Sequence, residues 1–269
     1  MPYAHVNGHR LYYEDTGGDG PAILFSHGLL MDGNMFAAQV QALRGDWRCI
    51  TWDERGHGRT ATGECAPFSY YDSADDAVAL LAHLGIERAV FAGMSQGGYL
   101  SLRAALRHPQ AVRALVLIDT QALPEEAQKM AGHQLIVQEW LAHGLSGERA
   151  RTIEHIILGD GWEGAATWRA AWQRMQPADL LACFTTLAER DDISAELGRI
   201  DIPALVLHGD ADRAIGVERA RAMADALPQA RMVLVPGAGH AANLTHAEPV
   251  NAALLDFLTQ LPPLWCSYK

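Results

Sequence analysis

The chain has 269 residues, of which 49% are hydrophobic and 20% charged, enough for one large α/β domain or a domain carrying an insertion. A formal net charge of -11 argues against nucleic acid or an anionic membrane as partner, because a basic surface supplies the affinity in both cases. No run of about 18 apolar residues offers a membrane span, and the opening Met1-Pro2-Tyr3-Ala4-His5-Val6-Asn7-Gly8 lacks the pattern of a signal peptide.

In chain order, Ala4 to Val6, the Asn7-Gly8 pair and Arg10 to Glu14 predict a hairpin closed by a type I′ turn. Ala22 to Ser26 is an apolar strand ending at His27-Gly28. Phe36 to Leu43 reads as a helix, and Arg48 to Trp52 as a strand leading into Asp53-Glu54-Arg55-Gly56-His57-Gly58. Ser73 to Leu84 is an amphipathic helix stopped by Gly85. The strand Ala89 to Ala92 follows, then a helix from Tyr99 to Leu106 that ends before His108-Pro109, then the strand Val112 to Ile118. Two more strands are expected at Ala204 to Leu207 and Met232 to Val235, and a last helix at Pro249 to Leu261. This alternation implies a mostly parallel sheet of eight strands flanked by helices. It breaks between residues 123 and 200, a stretch with helical patterns and no strand. The expected domains are therefore a core of 1–122 and 201–269 with a helical cap at 123–200.

Gly93-Met94-Ser95-Gln96-Gly97 fits G-x-S-x-G between a strand and a helix, the context that this nucleophile-elbow pattern requires. The glycines flank a strained turn in which the chain passes too close to itself for a Cβ. A serine hydroxyl needs a base to remove its proton and a carboxylate to orient that base. The expected chain order is serine, acid, histidine. After the Ala204 strand comes His208-Gly209-Asp210-Ala211-Asp212, with two candidate acids. After the Met232 strand comes Gly237-Ala238-Gly239-His240. Both loops lie at the same sheet edge as Ser95, so their side chains can converge on it.

Together with Ser26-His27-Gly28-Leu29-Leu30 and the Asp53 to Gly58 loop, these motifs resemble the α/β-hydrolase superfamily over essentially the whole chain. The resemblance is to its capped serine hydrolases of the esterase, enol-lactonase and cofactor-free haloperoxidase type. It implies Ser95 as nucleophile, His240 as general base and Asp212, ahead of Asp210, as the acid. It implies an oxyanion hole from the backbone N–H groups of Leu29 and Gln96. By the same resemblance His27 and His57 are structural, Asp53 braces loops, and His246 belongs near the start of the last helix. Leu30, Met31 and Met94 are candidates for the core side of an apolar pocket. Trp140, Trp162, Trp168 and Trp172 are candidates for the opposite wall, the alternative being that they fill a small helical core.

The implied activity is hydrolysis of a small to medium carboxylic ester or lactone through an acyl-enzyme. Ser95 stands where the dehalogenases and epoxide hydrolases of the fold need a carboxylate. Leu29-Leu30-Met31 differs from the Ser-Gly loop of the carbon–carbon bond hydrolases, which disfavours that activity but leaves it among the alternatives. Perhydrolysis, acyl transfer and a hydrolase-derived ligand sensor use the same frame and stay as alternatives. No cofactor is expected. No metal is expected either, since no His-Glu-x-x-His or paired-cysteine spacing occurs. Cys49, Cys65, Cys183 and Cys266 are far apart and read as reduced thiols of a cytoplasmic protein. The expected partner is a small molecule; the state of assembly, a homo-oligomer included, is left open.

Overall fold

A computed structural model describes residues 2–262, so Cys266 lies outside the described residues. The first two strands, β1 (Tyr3–Val6) and β2 (His9–Asp15), form the antiparallel hairpin. Asn7 and Gly8 both have positive φ (49° and 79°), as a type I′ turn demands. The remaining strands are β3 (Ala22–Ser26), β4 (Arg48–Trp52), β5 (Ala89–Met94), β6 (Val112–Ile118), β7 (Ala204–Gly209) and β8 (Ala230–Val235). They build one eight-stranded sheet in the order β1-β2-β4-β3-β5-β6-β7-β8. Every pair from β4 onward in that order is parallel; β2 joins β4 antiparallel. This is the α/β-hydrolase architecture. All residues of β3, β5 and β7 are buried, which is why they read as unbroken apolar runs rather than alternating ones.

The helices on the sheet faces begin with α1 (Ala37–Leu43), preceded by a 3₁₀ turn over Gly33–Phe36. The next, α2 (Tyr70–His83), starts three residues before the expected Ser73. The reason is a capping box: the Ser69 hydroxyl accepts from the Asp72 N–H, and the Asp72 carboxylate accepts from the Ser69 N–H at 2.7 Å. The helix after the elbow, α3 (Gln96–Arg107), is buried almost throughout. Between β6 and β7 lie α4 (Ala127–His143), α5 (Gly147–Ile157), α6 (Ala165–Trp172) and α7 (Pro177–Ala188), and no strand. They are followed by a 3₁₀ segment, Ser194–Arg199. The last helices of the described residues are α8 (Val217–Ala226), which the sequence reading left unassigned, α9 (Ala242–Thr245) and α10 (Ala247–Thr259). No helix among the described residues is long and apolar enough to cross a membrane.

Candidate active site

Ser95 joins β5 to α3 with φ 51° and ψ −112°, a left-handed conformation that costs a non-glycine residue energy. Two contacts hold it there. Its N–H donates to the Ile118 carbonyl at 2.9 Å, and its carbonyl accepts from the Thr120 hydroxyl at 2.8 Å. The flanking glycines are required by space. A Cβ on Gly93 would lie 2.1 Å from the Gly97 carbonyl carbon, and one on Gly97 would lie 1.9 Å from the Ser26 oxygen.

The His240 Nε2 lies 3.1 Å from the Ser95 Oγ, and its Nδ1 lies 2.8 Å from the Asp212 Oδ2. The other Asp212 oxygen accepts from the N–H groups of Ala214 and Ile215, at 2.8 and 3.0 Å. Burial pushes the Asp212 carboxyl up, but the His240 ring beside it and the hydrogen bonds it accepts bring it below the usual range. Burial also pulls the His240 ring down; Asp212 first, then Asp119 and Glu125, lift it above its ordinary value. Of the two candidate acids, Asp212 is the one in contact with His240. Asp210 is exposed and accepts from the Gly237 N–H at 2.7 Å. Gln96 opens α3 directly after Ser95, so its N–H is among the first of that helix, where amides have no intrahelical partner. Leu29 follows Gly28 on the facing loop and lines the same cavity as Ser95.

The side chains expected to be structural are tied into the frame. His27 Nδ1 meets the Gly28 carbonyl at 2.8 Å, and its Nε2 accepts from the Glu54 N–H at 2.9 Å. Asp53 accepts from the N–H groups of Gly33 and Arg59, both at 2.8 Å. His57 Nδ1 meets the Arg55 carbonyl at 2.9 Å, and His246 stands just before α10 with its Nδ1 2.9 Å from the Thr245 hydroxyl.

Residues 21–154 match the family described as alpha/beta hydrolase fold, and residues 170–262 match a family described as TAP-like protein. The chain belongs to the α/β-hydrolase superfamily. It is similar to the enol-lactonase from Burkholderia xenovorans LB400, with TM-score 0.88 and 28% identity over 96% of this chain and 100% of that one. It is also similar to a thermophilic esterase from Thermogutta terrifontis, with TM-score 0.85 and 28% identity over 97% of each chain. A protein of Caulobacter sp. (strain K31) with the name "Putative carbamate hydrolase RutD" is 29% identical, over 93% of this chain and 96% of that protein.

In this hydrolase a cavity of about 900 Å³, counted out to its mouth, opens beside Ser95 and His240. Leu29, Leu30, Met31 and Met94 line its core side. Val137 and Trp140 from α4, Ile157 from α5 and Phe184 from α7 line the other. Trp162, Trp168 and Trp172 are not among the lining residues, which corrects the expectation for three of the four tryptophans. Trp168 and Trp172 are buried on α6, and the Trp172 indole N–H donates to the Leu30 carbonyl at 2.9 Å. The Trp162 ring fills the space beside Gly164. Leu30 itself has φ 66°, so Trp172 pins a strained residue next to Leu29. The N–H of Ala241, the residue after the histidine, donates to the Ile157 carbonyl at the end of α5 at 2.9 Å.

Sequence reasoning missed Asp119. It is fully buried at the end of β6, with φ 46°. One oxygen accepts from the Gly209 N–H at 2.8 Å and the other from the Ala242 N–H at 2.9 Å. It thereby ties the loop of Asp212 to the helix that follows His240. Burial, and then the nearby Asp212, push its carboxyl up to about 8. Its position at the sheet edge shared with Ser95 was the available signal. Among the described residues Asp119, His208 and Asp212 bring potential metal-ligand atoms within 4.8 Å of one another. The aspartate oxygens in this group already accept hydrogen bonds from four backbone N–H groups and meet His240, so the group acts as an internal hydrogen-bond cluster.

Proposed function

We propose that the protein is a serine hydrolase of small to medium carboxylic esters or lactones. The observation that carries this reading is the hydrogen-bonded line from Ser95 through His240 to Asp212 at one end of an apolar cavity. Ser95 Oγ attacks the substrate carbonyl while His240 Nε2 takes its proton. Asp212 holds the ring by Nδ1 and stabilises the imidazolium. The N–H groups of Leu29 and Gln96 receive the charge that develops on the carbonyl oxygen. His240 then returns the proton to the leaving alkoxide, leaving an acyl group on Ser95, and a water activated by His240 releases it. The cavity walls supply apolar surface for the acyl or alcohol part. We also assign the helices between β6 and β7 as a cap over the site. Cys49, Cys65 and Cys183 are free thiols, which suits the cytoplasm.

A carbamate presents the same attackable carbonyl, and the relative named for carbamate hydrolysis favours it as a second substrate class. The test is turnover of p-nitrophenyl esters, lactones and carbamate esters by the wild type and by Ser95→Ala. Loss of about 10⁴-fold or more in the variant is expected, together with a single acyl adduct on Ser95 of the wild type in rapid-quench mass spectrometry. A folded Ser95→Ala protein with rates near wild type overturns the reading. Peracid formation with added hydrogen peroxide separates perhydrolysis from hydrolysis.

A further inference from the structure

Apart from the Ser95 and His240 end, the lining residues with polar side-chain atoms are Tyr99, Glu125 and His133. His133 begins the stripe His133, Ile136, Val137, Trp140 by which α4 faces the cavity. An aliphatic residue there would continue the apolar wall. The buried Nδ1 of His133 has no hydrogen-bond partner. The Glu125 side chain is 6% exposed and lies 3.7 Å from Arg190, itself 1% exposed. Arg190 is held from behind by the carbonyls of Leu123 and Leu187, with its guanidinium 4.5 Å over the Tyr99 ring. The ammonium of Lys129 is turned to the Ala214 carbonyl at 3.1 Å. The cavity thus holds an acceptor carboxylate whose charge is already matched, beside an imidazole with an unused nitrogen. Glu125 Oε1 also accepts from the Glu126 N–H at 3.1 Å, so the atom that calls for a partner is the buried Nδ1 of His133.

We propose that Glu125 and His133 form a polar subsite that takes a neutral hydrogen-bonding group, a hydroxyl or a carboxamide, carried by the substrate away from its reacting carbonyl. Such a group donates to the Glu125 carboxylate and pairs with His133 Nδ1. A carboxylate would meet the like charge of Glu125, and Arg190, although its Nη2 has no hydrogen-bond partner, is not among the residues that line the cavity. An ammonium would give up its hydration for an acid that Arg190 already neutralises. The assignment rests on reading the cavity as the ester site and names what the remote part of that ester carries.

The test uses two ester series matched in length. In one the acyl chain ends in methyl, hydroxyl, carboxamide or carboxylate; in the other the alcohol part does. In at least one series kcat/KM for the hydroxyl or carboxamide member should exceed that of the methyl member by about tenfold, and that of the carboxylate by more. His133→Leu and Glu125→Gln should each collapse the hydroxyl-to-methyl ratio. His133 is partly exposed, so His133→Leu carries the test if Glu125→Gln does not fold. A ratio near one in both series, or one that neither variant changes, overturns the subsite; preference for the carboxylate overturns its assigned chemistry. Calorimetry on Ser95→Ala, with amide analogues of the methyl and hydroxyl members, reads the same discrimination without turnover. A failure of the hydrolase reading, no ester being cleaved, is therefore distinguished from a failure of the subsite.

Discussion

The Gln96 side-chain amide donates to the carboxyl of Glu54 at 2.8 Å, and both residues are buried beneath the elbow. Glu54 also accepts from the Ser73 hydroxyl at 2.6 Å. Burial, with Asp76 nearby, pushes its carboxyl from 4.5 up to about 8. The unfolded chain releases this proton near pH 4.5, while the native state keeps it to about pH 8. This contribution to stability is therefore whole below about pH 4.5 and is lost as pH rises to about 8, at up to about 1.4 kcal/mol per pH unit. When protonated, Glu54 accepts from Gln96 and donates to the Ser73 hydroxyl, which then donates to the Ser69 carbonyl at 3.4 Å; an amide copies that pattern of one acceptor and one donor. We predict that Glu54→Gln gains stability relative to wild type between pH 5 and pH 8. Urea midpoints at the two pH values check this. Asp119 titrates in the same window, so the quantity to read is the difference between the two proteins. Parallel profiles would mean that Glu54 is ionised in the native state.

Asp212 and Asp210 are two residues apart but only Asp212 meets His240. Asp212→Asn should lower kcat by about 10⁴-fold, because an amide stabilises neither the imidazolium nor the required tautomer. Asp210→Asn changes an exposed turn and should stay within about twofold. Steady-state kinetics on the two folded variants decide it, and the reverse ranking would reassign the acid.

Trp172 and Trp140 should behave differently although both are buried tryptophans of the helical segment. Trp140→Ala enlarges the cavity wall and should move the preferred acyl length, a change worth about 1–3 kcal/mol in discrimination. Trp172→Phe keeps a ring but drops the bond to the Leu30 carbonyl. It should lower kcat about tenfold across all acyl lengths by loosening the loop that carries the Leu29 N–H. The check is the shape of the kcat/KM profile against length: displaced for Trp140→Ala, uniformly lowered for Trp172→Phe.

Gly97 and Gly132 make a contrasting pair for stability. A Cβ on Gly97 runs into the Ser26 oxygen, whereas one on Gly132, inside α4, meets nothing within 4 Å. Gly97→Ala should cost more than about 3 kcal/mol, beyond ordinary overpacking. Gly132→Ala should gain about 0.5–1 kcal/mol by removing backbone freedom from a helix. Thermal melts of both variants measure the two signs.

The sheet was legible because β3, β5 and β7 are short apolar runs bounded by turn residues, and because only the I′ turn fits Asn7-Gly8. Ser95 and His240 were legible because each follows a strand at one edge. Of the two aspartates after β7, the resemblance to the family motif favoured Asp212, and loop geometry turns Asp210 outward and Asp212 to His240. Three of the four tryptophans, Trp162, Trp168 and Trp172, do not line the cavity, for a physical reason. Periodicity says that a side chain is buried, not what it is buried against, and Trp172 spends its indole N–H on a backbone carbonyl. Asp119 left only its place after β6 as a signal, and the burial of Glu54 and Glu125 left none, since an acid in a loop looks the same exposed or buried.

The bond from the Ala241 N–H to the Ile157 carbonyl joins the cavity wall to the peptide next to His240. Ile157 lines the cavity, and Ala241 is covalently joined to His240. A ligand that wedges α5 outward pulls on the peptide next to the imidazole, and a small tilt there lengthens the reach to Ser95 Oγ. Under the proposed ester-hydrolase reading, oversized substrates would be penalised in how fast they react once bound as well as in how tightly they fit.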